Sequence, residues 1–117
     1  MKKVMLIEDD PTMITLLGTL LEMEGYQVVK LQKFGSVVED ITREMPDAIL
    51  MDVHLNDLDG LTFLRQIRET EAIKELVVIM SSGMDKQYES DQAGANAFLL
   101  KPYMPDELIS KISNLLV

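Results

Sequence analysis

Five short apolar runs separated by segments of helical period constrain this chain more than any other feature. The runs are KVMLI (Lys3–Ile7), QVVKL (Gln27–Leu31), AILM (48–51), LVVIM (76–80) and AFLL (Ala97–Leu100). Each is too short for a helix and is apolar almost throughout, which predicts strands buried on both faces. The intervening segments read as helices. Asp10 is placed to cap the first and Pro11 to open it, since proline has no amide to leave unpaired there. That helix carries Met13, Leu16, Leu17, Leu20 and Leu21 on one side, and Gly25 is placed to end it. A weaker helix over about 36–44 stops at Met45-Pro46. A third runs from Gly60 to about Glu69 and presents Leu61, Leu64, Ile67 and Arg68. A short, poorly amphipathic helix covers roughly 86–93, and Pro105 opens a last one with Leu108, Ile109, Ile112 and Leu115. The order βαβαβαβαβα with buried strands predicts an α/β protein, a doubly wound five-stranded parallel sheet with helices on both faces. A closed barrel needs about eight such units.

The chain has 117 residues, enough for one domain with a real core and too few for two, so 1–117 is read as one domain. Its net charge of -9 argues against direct contact with nucleic acid and suits a partner with a basic face or a bound cation. There is no cysteine, which removes disulfides, thiolate metal sites and cysteine nucleophiles and fits a cytoplasmic setting. The apolar run at Val4–Ile7 ends in three acids and is neither a signal peptide nor a membrane span.

In an open parallel sheet, ligands bind beyond the carboxyl ends of the strands. Strand one ends at Glu8 and Asp9, strand three at Asp52, strand four at Ser81 and Ser82, and strand five at Lys101-Pro102. Strand two offers nothing chemically pointed. If strands one and three are neighbours, three carboxylates converge, and a hard cation such as Mg²⁺ would relieve their repulsion while leaving room for a phosphoryl oxygen. A lysine pairs with phosphate as a point charge and a serine hydroxyl donates to it. Phosphoryl transfer onto an aspartate is the chemistry this set suggests. Taken singly, each residue has a plainer reading: a helix cap for Asp10, a loop aspartate for Asp52, turn formers for the serines, an exposed loop lysine for Lys101. Their coincidence at four of five strand ends favours a site.

With LIEDDP, ILMDVHLNDLDG, VVIMSSG and GANAFLLKPY in this order, the chain resembles the CheY-like receiver domains of two-component response regulators over essentially its whole length. The resemblance implies the flavodoxin-like strand order 2-1-3-4-5. It also implies that Asp52 is the phosphoacceptor, and that Glu8, Asp9, Asp52 and the backbone carbonyl of His54 hold Mg²⁺. Ser81 would follow the phosphoryl group, Lys101 would pair with it across a cis Lys101-Pro102 bond, and Phe98 would be the switch aromatic, a residue that plain core packing also explains. The implied partners are a sensor histidine kinase or phosphotransfer protein and a downstream protein or output domain. These would be read through the face formed by the fourth helix, fifth strand and fifth helix, with no nucleic acid or membrane bound directly. Such a domain catalyses only its own phosphorylation and dephosphorylation.

Several positions depart from the family pattern. Asn56 stands where proline is common, which predicts a looser loop. Gly83 and His54 occupy positions that tune access of water to the phosphoryl group. The segment from Ser81 to Gly94 is about two residues short, and Met104 replaces a polar cap; Met84 and Met104 lie in loops beside the switch face. Two other classes stay open at this stage. A phosphatase with an aspartyl-phosphate intermediate would usually carry a second aspartate where His54 stands. A phosphorylation-independent interaction module would not need the acids and lysine that are present. An EF-hand reading of DVHLNDLDG fails because Asp57 occupies the position of the loop glycine.

Overall fold

Apolar runs and helical segments alternate in space as they do along the chain. The computed structural model describes residues 1–117, with β1 (Lys3–Ile7), α1 (Pro11–Met23), β2 (Gln27–Leu31), α2 (Val37–Glu44), β3 (Ala48–Asp52), β4 (His54–Leu55), β5 (Leu58–Asp59), α3 (Gly60–Glu69), β6 (Val77–Ser82), α4 (Gln87–Ala93), β7 (Ala97–Leu100) and α5 (Pro105–Leu115). The main sheet is five-stranded, in the order β2-β1-β3-β6-β7, and its four neighbouring pairs are all parallel. This is the doubly wound, flavodoxin-like arrangement expected from the sequence.

Because successive strand residues face opposite sides, the sheet divides the core in two. One side packs Met5, Ile7, Ile49, Met51, Val78 and Met80 against residues of α2 and α3 such as Ile41, Leu64 and Ile67. The other packs Val4, Leu6, Leu50, Ile79 and Leu99 against Leu17 and Leu21 of α1 and Leu108 and Ile112 of α5. The side chain of Asp10 caps α1 by accepting the amides of Thr12 and Met13, and Gly25 follows the helix end with φ +92°. Gly94 adopts φ +102° as the C-cap of α4, a conformation that L side chains rarely take.

Three boundaries differ from expectation. β3 runs one residue further, to include Asp52. The fourth sheet strand covers Val77–Ser82, so Ser81 and Ser82 are its last two residues rather than loop. Both shifts arise from ladder bonds at the sheet's rim: Val53 N–H donates to Ser81 O at 2.9 Å and Lys101 N–H to Ser82 O at 2.8 Å. The third difference is the segment expected to be loop at residues 56–59. There β4 and β5 pair antiparallel, His54 opposite Asp59 and Leu55 opposite Leu58, as a hairpin turned by Asn56 and Asp57. Asn56 has φ +56°, a positive angle that the favoured two-residue hairpin turns place at this position and that proline cannot adopt.

Candidate functional site

The alternation that builds the α1/α5 side of the core also builds the site. Val4 and Leu6 are followed two residues on by Glu8, Leu50 by Asp52, Ile79 by Ser81, and Leu99 by Lys101. Each polar residue therefore takes the next same-face position after a buried apolar one, at the carboxyl rim of its strand. The strands are in register, with Asp52 opposite Ser81 and Ser81 opposite Leu99. Ile7 pairs with Met51, so Glu8 stands level with Asp52.

Lys101 joins these acids. Its ammonium donates to Asp52 Oδ2 at 2.6 Å and to Glu8 Oε1 at 2.8 Å. Asp52 Oδ1 accepts the His54 amide at 3.1 Å, and Glu8 Oε2 accepts the Asp9 amide at 3.0 Å. Asp9 Oδ2 accepts the Asn56 amide at 2.8 Å. Glu8 and Asp52 are 5% and 7% exposed, and Asp9 is half-buried. Carboxylates so deeply placed need the donors they have, since a buried unpaired charge is costly. Burial first, and then the hydrogen bond and charge of Asp52, push the Glu8 carboxyl up to about 7 against the pull of Lys101. Burial pulls the Lys101 ammonium down, but its bonds to Asp52 and Glu8 overcome this and hold it above its ordinary value.

One carboxylate oxygen from each of Glu8, Asp9 and Asp52 lies within 4.8 Å of the others. Three hard oxygen donors with one ammonium among them suit a small divalent cation such as Mg²⁺ and not a soft metal. His54 contributes no side chain to this group, because its imidazole is exposed. Its backbone is differently placed. Gly60 N–H donates to Val53 O at 2.6 Å at the base of the hairpin, while the Val53 amide goes to Ser81 O. His54 pairs with Asp59 in the hairpin, and its amide meets Asp52 Oδ1.

The two serines separate. Ser82 is fully buried, and its Oγ accepts the Met84 amide at 3.1 Å, a turn-forming role. Ser81 faces the side of Asp52 and its hydroxyl is not used by the chain's own hydrogen bonds. Phe98 lies on the opposite face, half-buried against the α2/α3 side of the core. The Lys101-Pro102 bond is cis.

Three features escaped the sequence reading. The looser loop expected at Asn56 is instead tied to Asp9, because a left-handed asparagine presents an amide that proline lacks. A Cβ at Gly60 would run into the carbonyl oxygen of Asp52, so the α3 N-terminus approaches the site more closely than any other residue type allows. The Tyr103 hydroxyl is buried without a partner, and burial pushes it up to about 12. The Asn56-Asp57 dipeptide was a legible turn signal; the other two carry no signal in sequence alone.

The chain has relatives among known proteins over nearly its whole length. The chain is 32% identical over 114 residues to the transcriptional regulatory protein YxdJ of Bacillus subtilis, covering 97% of this chain and 50% of that protein. It thus spans about half the length of such regulators. It is 29% identical to the chemotaxis protein CheY of Bacillus subtilis, covering 97% of each. The receiver domain of sensor histidine kinase PA1611 from Pseudomonas aeruginosa, solved with a magnesium ion in its active-site cleft, superposes with a TM-score of 0.88 at 30% identity, covering 98% of this chain and 97% of that one. The family model for the response regulator receiver domain matches residues 4–113, nearly the whole of the sheet and its helices, and the chain accordingly belongs to the receiver domains of two-component response regulators.

Proposed function

We propose that Asp52 is the residue through which this receiver takes part in phosphorylation-based signalling. The observation that carries the reading is the placement of Asp52, buried at the rim of the central strand, with Lys101 on one oxygen and the His54 amide on the other. An Asp52 oxygen attacks the phosphorus of a phosphohistidine on a sensor kinase or phosphotransfer protein. The new P–O bond forms as the P–N bond breaks, and the imidazole leaves with the electron pair. Glu8, Asp9, Asp52 and the His54 carbonyl would hold Mg²⁺, which supplies positive charge to the transferring phosphoryl oxygens. The magnesium site of the PA1611 receiver supports this assignment. Lys101 exchanges part of its pairing with Asp52 for the phosphoryl group, and Ser81, level with Asp52 in the sheet, donates its hydroxyl to it.

The output is binding rather than turnover of a substrate. Movement of Ser81 toward the phosphoryl group frees space behind β6, and Phe98 turns toward it from β7. This shifts a two-state equilibrium of the face formed by α4, β7 and α5, which a downstream protein or an output domain in the same polypeptide reads in a cytoplasmic setting. No helix is long and apolar enough to cross a membrane. Incubation with Mg²⁺ and acetyl phosphate, followed by intact mass, tests the assignment. The expected result is a gain of one phosphoryl group in the wild type and none in Asp52→Asn; the same gain in both would move the phosphoacceptor elsewhere.

A further inference from the structure

Two carboxylates of the site stand at the carboxyl ends of different strands, Asp9 just past β1 and Asp52 at the end of β3, yet both are held by amides of one six-residue hairpin, 54–59. His54 N–H donates to Asp52 Oδ1 and Asn56 N–H donates to Asp9 Oδ2, two residues apart along the chain. The hairpin is anchored at its base by the Gly60 amide on the Val53 carbonyl, so its tip is not free to drift from β3. The Asp9 bond spans 47 residues of sequence and is the only hydrogen bond that the Asp9 carboxylate accepts within the chain, leaving Oδ1 open. Asp9 lies just past the end of β1, where no ladder bond fixes its side chain. Its direction therefore depends on what stands opposite it.

What stands opposite is a backbone donor that only certain residues can supply. Asn56 combines the left-handed backbone of the turn, φ +56°, with an amide that meets Asp9. Asparagine and glycine tolerate that backbone, alanine is strained there by roughly 1 kcal/mol, and proline has neither the angle nor the N–H. We propose that Asn56 is a positioning residue for the acidic site: its left-handed backbone fixes one oxygen of Asp9 so that the other is presented to a cation shared with Glu8 and Asp52. This rests on the reading of the acidic group as a Mg²⁺ site. It adds that the affinity of that site is set by a residue that is not itself a ligand and that contributes no side-chain atom.

The test is the Mg²⁺ dissociation constant of the unphosphorylated chain, by titration calorimetry, for the wild type and Asn56→Gly, Asn56→Ala and Asn56→Pro. The metal-free melting temperature of each variant is measured alongside. Asn56→Gly keeps both the angle and the amide and should bind within about twofold of wild type. Asn56→Pro should bind at least fivefold more weakly and Asn56→Ala between them, out of proportion to any change in melting temperature. If Asn56→Pro does not fold, a weaker Asn56→Ala against an unchanged Asn56→Gly carries the same result. Equal affinities across the folded variants, or a loss in Asn56→Gly as large as in the others, would overturn the positioning role while leaving the Mg²⁺ site standing. A wild type that binds no Mg²⁺ would overturn both.

Discussion

Lys101 and Asp52, 49 residues apart in sequence, meet at 2.6 Å across the rim of the sheet, and the same ammonium reaches Glu8 at 2.8 Å. One cation thus serves two buried acids, and its side chain retains 22% exposure toward the open side of the cleft. Removing it leaves the acids without their shared donor. Lys101→Met is expected to lower metal-free stability by about 1–3 kcal/mol, the cost of stranding buried charged acceptors. Urea melts with and without Mg²⁺ measure this, and Mg²⁺ should recover a larger share of stability in the variant than in the wild type. If Lys101 pairs with the phosphoryl group as proposed, acetyl phosphate should label Asp52 much more slowly in the variant.

Glu8 gives the site a pH dependence whose sign follows from its raised value. With the folded carboxyl near 7 and an ordinary one near 4.5, the native state holds more protons than the unfolded one between those limits. Stability in metal-free buffer should therefore fall as pH rises from about 4.5 to 7. The shift corresponds to at most roughly 3 kcal/mol across the window. Lys101, held above its ordinary value, stays charged throughout that range and adds no slope there. Denaturant midpoints from pH 5 to 8 should show a steeper decline in the wild type than in Glu8→Gln. Parallel curves would show that Glu8 does not titrate in this window.

Gly60 is where α3 begins and where the helix comes against the end of β3. Because an added Cβ meets the Asp52 carbonyl and not a flexible side chain, the backbone must move. Gly60→Ala is expected to cost about 1–3 kcal/mol, as overpacking against rigid atoms does. It should also slow labelling of Asp52 more than a surface variant of equal stability does, which a mass time course can resolve.

Ser81 and Ser82 are adjacent in sequence and differently placed: Ser81 stands opposite Asp52, and Ser82 accepts the Met84 amide. Ser82→Ala removes the acceptor of the Met84 amide in a fully buried position and should lower stability by about 1 kcal/mol with little effect on labelling. Ser81→Ala should leave stability nearly unchanged and weaken coupling between Asp52 labelling and the conformation of α4. The coupling can be read from amide exchange of α4 before and after labelling. If the two variants trade these effects, Ser82 is the switch hydroxyl.

The sequence by itself determined the strands, the helices they alternate with and the rim on which the chemistry stands. Those depend on local rules: apolar runs of strand length, a capping Asp10, and a side-chain period of two that carries Glu8, Asp52, Ser81 and Lys101 onto one face. Interactions between residues distant in sequence were decided only by the tertiary structure. Arg68 looked like one more position on the α3 stripe; its guanidinium instead donates to the carbonyls of Lys74, Leu76 and Gly94 and to Asn96 Oδ1, tying α3 to the ends of β6 and α4. Asn56 looked like a missing proline and a loosened loop. Its amide gained a partner only when the fold brought Asp9 within 2.8 Å of it, because a backbone donor has no preferred partner until the fold supplies one.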